Sequence, residues 1–169
     1  MKFKVSWAGV LILLLGSALS AQAADWYGRV SQVAEAGDVL TIMTDDNRRL
    51  TLRLYGVDCP QPGQPFAVES ENMVRALVVD SRQPVTVLEE ARESSGQVVA
   101  TIVLADGTTL NDRLLVAGLA WFYPEHCPDA AICRGMMTLE QKARQQRRGL
   151  WAQDNPISPW EWNEQKFEK

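Results

Sequence analysis

The sequence has few residues of the kinds that bind transition metals. Its 169 residues include one histidine, His126, and three cysteines, with no Cys-x-x-Cys pair. Structural zinc sites usually draw on four such ligands at short, regular spacings. A zinc site is therefore the weaker interpretation of His126 and the neighbouring Cys127.

Positive charge is also scarce. The chain has 17 basic and 21 acidic residues and a formal net charge of −4, which becomes −6 without Lys2 and Lys4. Proteins that bind nucleic acid indiscriminately usually rely on a basic surface. The composition argues against binding of that kind, although it leaves open a local positive cleft.

The apolar run near the N-terminus, residues 8–15, is shorter than the roughly 20 residues that a bilayer span needs. Two lysines precede it, and Ala21-Gln22-Ala23 supplies small residues for cleavage, as in a secretory signal peptide. We predict a signal peptide over residues 1–23 and one domain over residues 24–169, exported to the periplasm or the medium without stable membrane insertion. A cysteine does not follow the run, which argues against a lipoprotein.

Export makes a disulfide plausible, because exported proteins fold in oxidising compartments. Cys127 and Cys133 flank a short segment, and a bridge between them would close one loop. We therefore favour the pair Cys127–Cys133 and expect Cys59 to be buried or free.

Alternating apolar residues and turn signals predict the secondary structure. Five short strands are expected at residues 26–34, 39–44, 50–57, 85–88 and 98–104, the first three as an antiparallel meander. Helices are expected at residues 66–80, at residues 111–116 with Asn111 as the cap and Gly118 as the stop, and up to about Arg148 before Gly149. The order fits a mainly β protein, a five-stranded oligonucleotide/oligosaccharide-binding (OB) barrel with about three helices, and we expect a monomer.

The third strand carries an arginine that needs an anionic partner. Leu52 and Leu54 lie on one face of this strand and Arg53 on the other. A guanidinium near a core is costly unless it is paired. Asp58, just past the strand, and Asp38, before the second strand, are the candidate partners, and together the three residues would suit a divalent cation and a phosphate.

The C-terminal region is basic and then rich in tryptophan. We interpret the cations at the end of the last predicted helix as a solvated face at the negative end of the helix dipole rather than a nucleic-acid patch. Trp151, Trp160 and Trp162 are expected to dock on their own domain rather than to stack on bases.

The motifs in this order resemble the staphylococcal (thermonuclease) family over residues 30–162. The residues that carry the resemblance are Gly37-Asp38, Arg53-Leu54-Tyr55-Gly56-Val57-Asp58-Cys59-Pro60, Ala105-Asp106-Gly107, Leu110-Asn111, Arg148-Gly149-Leu150-Trp151 and Pro159-Trp160-Glu161-Trp162.

The resemblance implies a nuclease that cuts DNA and RNA with one calcium ion. Asp38 and Asp58 match the family's metal-binding aspartates, and Cys59 stands where the family uses a backbone carbonyl as a ligand. Arg53 matches the first of two arginines that grip phosphate. Calcium takes oxygen ligands of this kind, and a guanidinium stabilises the charge that develops on phosphate.

Two positions depart from the family. Gln61 replaces the glutamate that serves as general base or positions water, and an amide cannot accept a proton from water at neutral pH. Gln97 replaces the second arginine. Arg92 is a candidate substitute for that arginine, and Glu69 and Glu71 are candidate substitutes for the base.

The sequence therefore supports two functions. The first is a calcium-dependent phosphodiesterase with weak or lost activity, and the second is an inactive OB-fold module that binds nucleic acid or a protein. A third possibility concerns the site alone: Arg53 and the two aspartates would form a structural ion network.

Overall fold

The computed structural model describes residues 25–127 and 129–167. The predicted signal peptide lies outside these residues. Within them, none of the helices has the length and apolar character needed to cross a bilayer.

Seven strands form in the described part of the chain: β1 (Asp25–Val33), β2 (Val39–Thr44), β3 (Arg49–Leu54), β4 (Val57–Asp58), β5 (Val85–Arg92), β6 (Val98–Val103) and β7 (Trp121–Phe122). Five of them close a barrel in the order β1-β2-β3-β6-β5, and the small β4–β7 ladder stands beside it. All barrel pairs are antiparallel except β3–β6, which is parallel. The barrel and the β1–β2–β3 meander are confirmed.

Four α-helices are present in the described residues rather than about three: α1 (Ala67–Arg75), α2 (Leu110–Ala117), α3 (Ala130–Gln145) and α4 (Pro159–Phe167). α1 continues into a π-helical turn at Ala76–Asp80. The additional helix, α4, is the tryptophan-rich tail. α3 ends before Arg148 because Arg147 takes a positive φ of 49° and the chain leaves the helix there.

Two predicted strand boundaries are wrong. The third strand stops at Leu54, because Gly56 turns the chain at a φ of 67° and sends Val57–Asp58 to β7 instead. A side chain at Gly56 would also approach Met136 Sδ to 2.7 Å. β5 runs to Arg92 rather than residue 88, since its polar outer half still pairs through the backbone with β6.

The barrel core contains the apolar face of the strands. Leu52 and Leu54 of β3 are fully buried, as are Leu40 and Ile42 of β2. The alternation therefore leaves Arg53 on the outer face, where its side chain is 27% exposed.

The tail docks as predicted. Trp160 of α4 lies 5.8 Å from Trp121, and Trp121 lies 4.4 Å from Trp151, ring centre to ring centre. The Arg144 guanidinium stands 3.9 Å above the Trp151 ring and 3.3 Å from Glu140. Arg144 therefore joins helix α3 to this aromatic cluster.

The cysteines pair as expected. Cys127 and Cys133 form the disulfide, and Cys59 is a free, fully buried thiol whose pKa is raised above its usual value, chiefly by burial.

Asn111 does not cap α2, contrary to the sequence prediction. The Thr109 side chain caps this helix by accepting a hydrogen bond from Asp112 N. Asn111 lies inside the first turn, fully buried, and donates from Nδ2 to the Tyr55 carbonyl at 2.8 Å. Its Oδ1 accepts from Ile102 N at 3.1 Å. One side chain thus ties α2 to β6 and to the turn after β3.

We expect Asn111→Ala to destabilise the fold more than Thr109→Ala. The first change leaves two buried backbone groups without partners, at about 3 kcal/mol in total, whereas loss of a cap costs about 1 kcal/mol. Urea unfolding of both variants measures the difference. Equal losses would contradict the bridging role of Asn111.

Candidate functional site

The barrel places Asp38 beside Arg53 through strand pairing. Val39 pairs with Arg53 across β2 and β3, and Leu54 N donates to the Asp38 carbonyl at 2.9 Å. Gly37 precedes Asp38 with a φ of 90°, and a side chain there would meet the α1 backbone at 3.4 Å. The glycine is therefore required both by the turn and by the close approach of α1.

The β4–β7 ladder brings in the second aspartate. Asp58 pairs with Trp121 in this ladder, four residues after the end of β3. Arg53 Nη2 lies 3.6 Å from Asp38 Oδ2 and 3.7 Å from Asp58 Oδ1. The two aspartates are only 3% and 5% exposed. The structure thus unites the three residues that the sequence singled out.

This cluster holds more negative charge than Arg53 alone neutralises. The pKa of Asp58 is raised to about 7, first by burial and then by the neighbouring charge of Asp38, while Arg53 acts in the opposite direction. The folded protein therefore keeps the Asp58 proton to a higher pH than the unfolded chain does.

Gln61 and Cys59 also belong to the cluster, through polar contacts. Gln61 Nε2 donates to the Cys59 carbonyl at 3.1 Å and to Asp58 Oδ1 at 3.4 Å. Gln61 N donates to Gln64 Oε1 at 2.8 Å, and Gln64 Nε2 donates to the Ile157 carbonyl at 2.6 Å. The buried Gln64 side chain therefore fixes the Gln61 loop to the C-terminal segment.

Asp38, Arg53, Asp58 and Gln61 line a cavity of about 540 Å³. Its described lining includes two residues that sequence reasoning missed, Glu35 and Asn163. Glu35 lies in the same turn as Asp38, three residues earlier, which is a local signal that was available. Asn163 comes from α4, and only the docking of that helix places it here.

The proposed substitutes lie elsewhere. Neither Glu69 nor Glu71 is among the described residues that line the cavity, and Glu71 faces Arg75 at 3.9 Å. Arg92 forms a two-bond pair with Glu89, at 2.7 and 3.0 Å, and lines a different cavity beside Tyr27.

Gln97, unlike Gln61, is not among the described residues that line the cavity. It lies on the hairpin between β5 and β6, and the parallel ladder places Val99 opposite Arg53. Gln97 comes two residues before Val99 and lies just outside β6.

The donor atoms suit a hard divalent cation. The described residues contain no group of three or more His, Cys, Asp or Glu side chains that would hold a metal. The oxygens available are instead two carboxylates and the Cys59 carbonyl, the mixture that calcium accepts. Arg53 Nε is buried and has no hydrogen-bond partner among the described residues. The exposed 27% of the Arg53 side chain is the part that an anion could reach.

The barrel and its site define an OB-fold protein with an acidic, arginine-containing cleft. Comparison with known proteins then gives the family. Residues 51–153 match the model described as Staphylococcal nuclease homologue, and the chain belongs to this family.

Relatives cover most of the chain. It is 32% identical over 143 residues to a protein of Escherichia coli named "Uncharacterized endonuclease", covering 85% of this chain and 88% of the relative. It is 29% identical over 145 residues to "Micrococcal nuclease" of Shigella flexneri, covering 82% and 81%. "Staphylococcal-like nuclease CAN1" of Arabidopsis thaliana is 33% identical over 119 residues, or 70% of this chain and 35% of the relative.

The raised pKa of Asp58 makes a prediction about stability without divalent cations. The folded protein holds the Asp58 proton more tightly than the unfolded chain, so this contribution is complete below about pH 4 and is lost as pH rises through about 7. Between pH 6 and 8 the wild type should lose about 1 kcal/mol that Asp58→Asn does not lose. Thermal unfolding in chelator at both pH values measures it, with exposed Asp45→Asn as control. Parallel pH profiles for wild type and Asp58→Asn would contradict it.

Proposed function

We propose that this protein is an exported, calcium-dependent phosphodiesterase that hydrolyses DNA or RNA slowly. The convergence of Asp38, Asp58 and Arg53 in one open cavity is the observation that supports it. Family membership supports the nuclease class, and the Cys127–Cys133 disulfide is compatible with export.

In this proposal Asp38, Asp58 and the Cys59 carbonyl hold the calcium ion. When bound, the ion polarises a phosphate oxygen and offsets the negative charge of the site. Arg53 donates to the same phosphate and stabilises the charge that grows there during attack. Its position between the two aspartates keeps the guanidinium oriented before substrate arrives.

The slow rate follows from two neutral side chains. Gln61 has no basic atom for the proton of the attacking water, and Gln97 brings no charge to the phosphate. Each loss should remove on the order of 3 kcal/mol of transition-state stabilisation, a factor of a hundred or more in rate. The losses need not add, because residues of one site act together.

The second candidate is a module that binds nucleic acid or a protein without cutting. The contacts of Gln61 favour it, since an amide donating to Asp58 and Cys59 stabilises the cluster without a cation. The two candidates differ in whether a phosphodiester bond is broken, and one assay separates them.

We expect the wild type to release nucleotides from denatured DNA weakly or not at all, and Gln61→Glu with Gln97→Arg to gain at least about tenfold with calcium. The glutamate restores a proton acceptor and the arginine restores a charge for the phosphate. Acid-soluble release is measured with calcium and with chelator, and Arg53→Ala in the double variant should abolish the gain.

Robust calcium-dependent cutting by the wild type would refute the inactive module. A wild type and a double variant that neither cut nor bind calcium or nucleotide would refute the nuclease proposal. Binding to single-stranded DNA across a salt series then tests the module, for which this acidic chain should show a shallow slope.

Any base-assisted activity of the wild type should depend on Glu35. Glu35 is exposed and lines the cavity, whereas Glu69 does not. We expect Glu35→Gln to lower the residual rate by roughly tenfold or more, within the range for general bases, and Glu69→Gln to leave it unchanged. Equal rates for wild type and Glu35→Gln would show that Glu35 takes no part.

A further inference from the structure

The Gln61 amide touches two of the oxygen atoms that would hold a cation. Its Nε2 lies 3.1 Å from the Cys59 carbonyl oxygen and 3.4 Å from Asp58 Oδ1. The Gln64 side chain anchors the Gln61 backbone from the other side. The end of the Gln61 side chain therefore lies against two oxygens of the candidate cation site.

These two distances are those of neighbouring ligands around calcium. Calcium binds oxygens at about 2.3–2.6 Å in shells of six to eight, so adjacent ligand atoms stand roughly 3 to 3.5 Å apart. The terminal atom of Gln61 already has this spacing to the Cys59 oxygen and to Asp58 Oδ1. It stands where a fourth ligand would lie beside Asp38, Asp58 and the Cys59 carbonyl, although an NH₂ group cannot ligate.

Rotation of the terminal amide of Gln61 by half a turn would present an oxygen to the cation instead of the NH₂ group. The terminal torsion of glutamine is broad and roughly two-fold, and rotation exchanges Nε2 for Oε1 at nearly the same position. Amide carbonyls are accepted calcium ligands. We propose that Gln61 caps the two oxygens through Nε2 in the cation-free protein and turns to ligate the cation through Oε1.

This inference rests on the proposed function only in requiring that the site bind calcium. The inference gives Gln61 a role in binding the cation, which is separate from its inability to act as a general base. Two other roles make different predictions for calcium affinity. If the Gln61 amide only competed with the cation, its removal would strengthen calcium binding. If the amide only oriented water, its removal would leave calcium binding unchanged.

Calorimetric titration of the chelator-treated, purified protein with calcium tests the inference. We expect Gln61→Leu, of similar size, to weaken calcium binding by roughly fivefold or more through the loss of one ligand. Gln61→Asn should weaken it similarly, because its shorter side chain does not reach. Gln61→Glu should bind more tightly than the wild type, because it adds a charged ligand. Gln32→Leu, an exposed position on β1, is the control and should match the wild type.

Nuclear magnetic resonance gives a second readout that does not depend on affinity. Calcium should shift the side-chain NH₂ signals of Gln61, because Nε2 leaves Asp58 and the Cys59 carbonyl. Thermal unfolding in chelator confirms that each variant is folded. Tighter or unchanged calcium binding by Gln61→Leu would overturn the inference. Side-chain NH₂ signals of Gln61 that do not shift when calcium is added would also overturn it.

Asp58→Asn separates the two possible failures. Suppose that the wild type binds calcium, that Asp58→Asn does not bind it, and that Gln61→Leu binds it as well as the wild type. That result would refute only the role of Gln61. If the wild type does not bind calcium at all, the inference falls together with the proposed calcium-dependent function.

Discussion

Two buried carboxylates held against one guanidinium are the interaction on which the rest of this site depends. Asp38 and Asp58 come from different elements, and each contacts Arg53 Nη2 at more than 3.5 Å. At that distance the attraction is electrostatic rather than a close hydrogen-bonded fork. The pKa of Asp58 rises although a cation stands beside it, chiefly because the carboxylate is buried and then because Asp38 adds negative charge nearby.

The C-terminal segment beyond the family-matched residues supports this cluster. Gln64 connects the Gln61 loop to the Ile157 carbonyl, and Lys166 Nζ donates to the Pro62 carbonyl at 3.1 Å. Asn163 forms part of the cavity wall. The loop that carries Gln61 thus has contacts on both sides, with β4 through Asp58 and with α4 through Lys166. Such double anchoring limits how far a side chain of the site can drift.

The sequence predicted the parts of this architecture that depend on local pattern. Alternation in β3 placed Arg53 opposite the buried leucines, and the order of motifs indicated the barrel and both aspartates. It did not reveal the break at Gly56, because the strand pattern continues through Val57 while the backbone turns. It missed Asn163 because only tertiary docking brings α4 to the cavity. Asn111 was misassigned since a buried asparagine and a helix cap look alike without the partners, Tyr55 and Ile102.

The two glutamines have different physical consequences. A glutamate at position 61 would place a third carboxylate within about 3.4 Å of Asp58, in a cluster whose acids already repel each other. Like charges so close disfavour one another's ionised forms, and the folded protein would be less stable without a cation. An amide at this position donates hydrogen bonds to the same oxygens instead. Gln61 thus cannot accept a proton, but it makes the folded protein more stable in the absence of a cation than a glutamate would. Gln97 is not part of the described lining of the cavity, so its amide relieves no such repulsion.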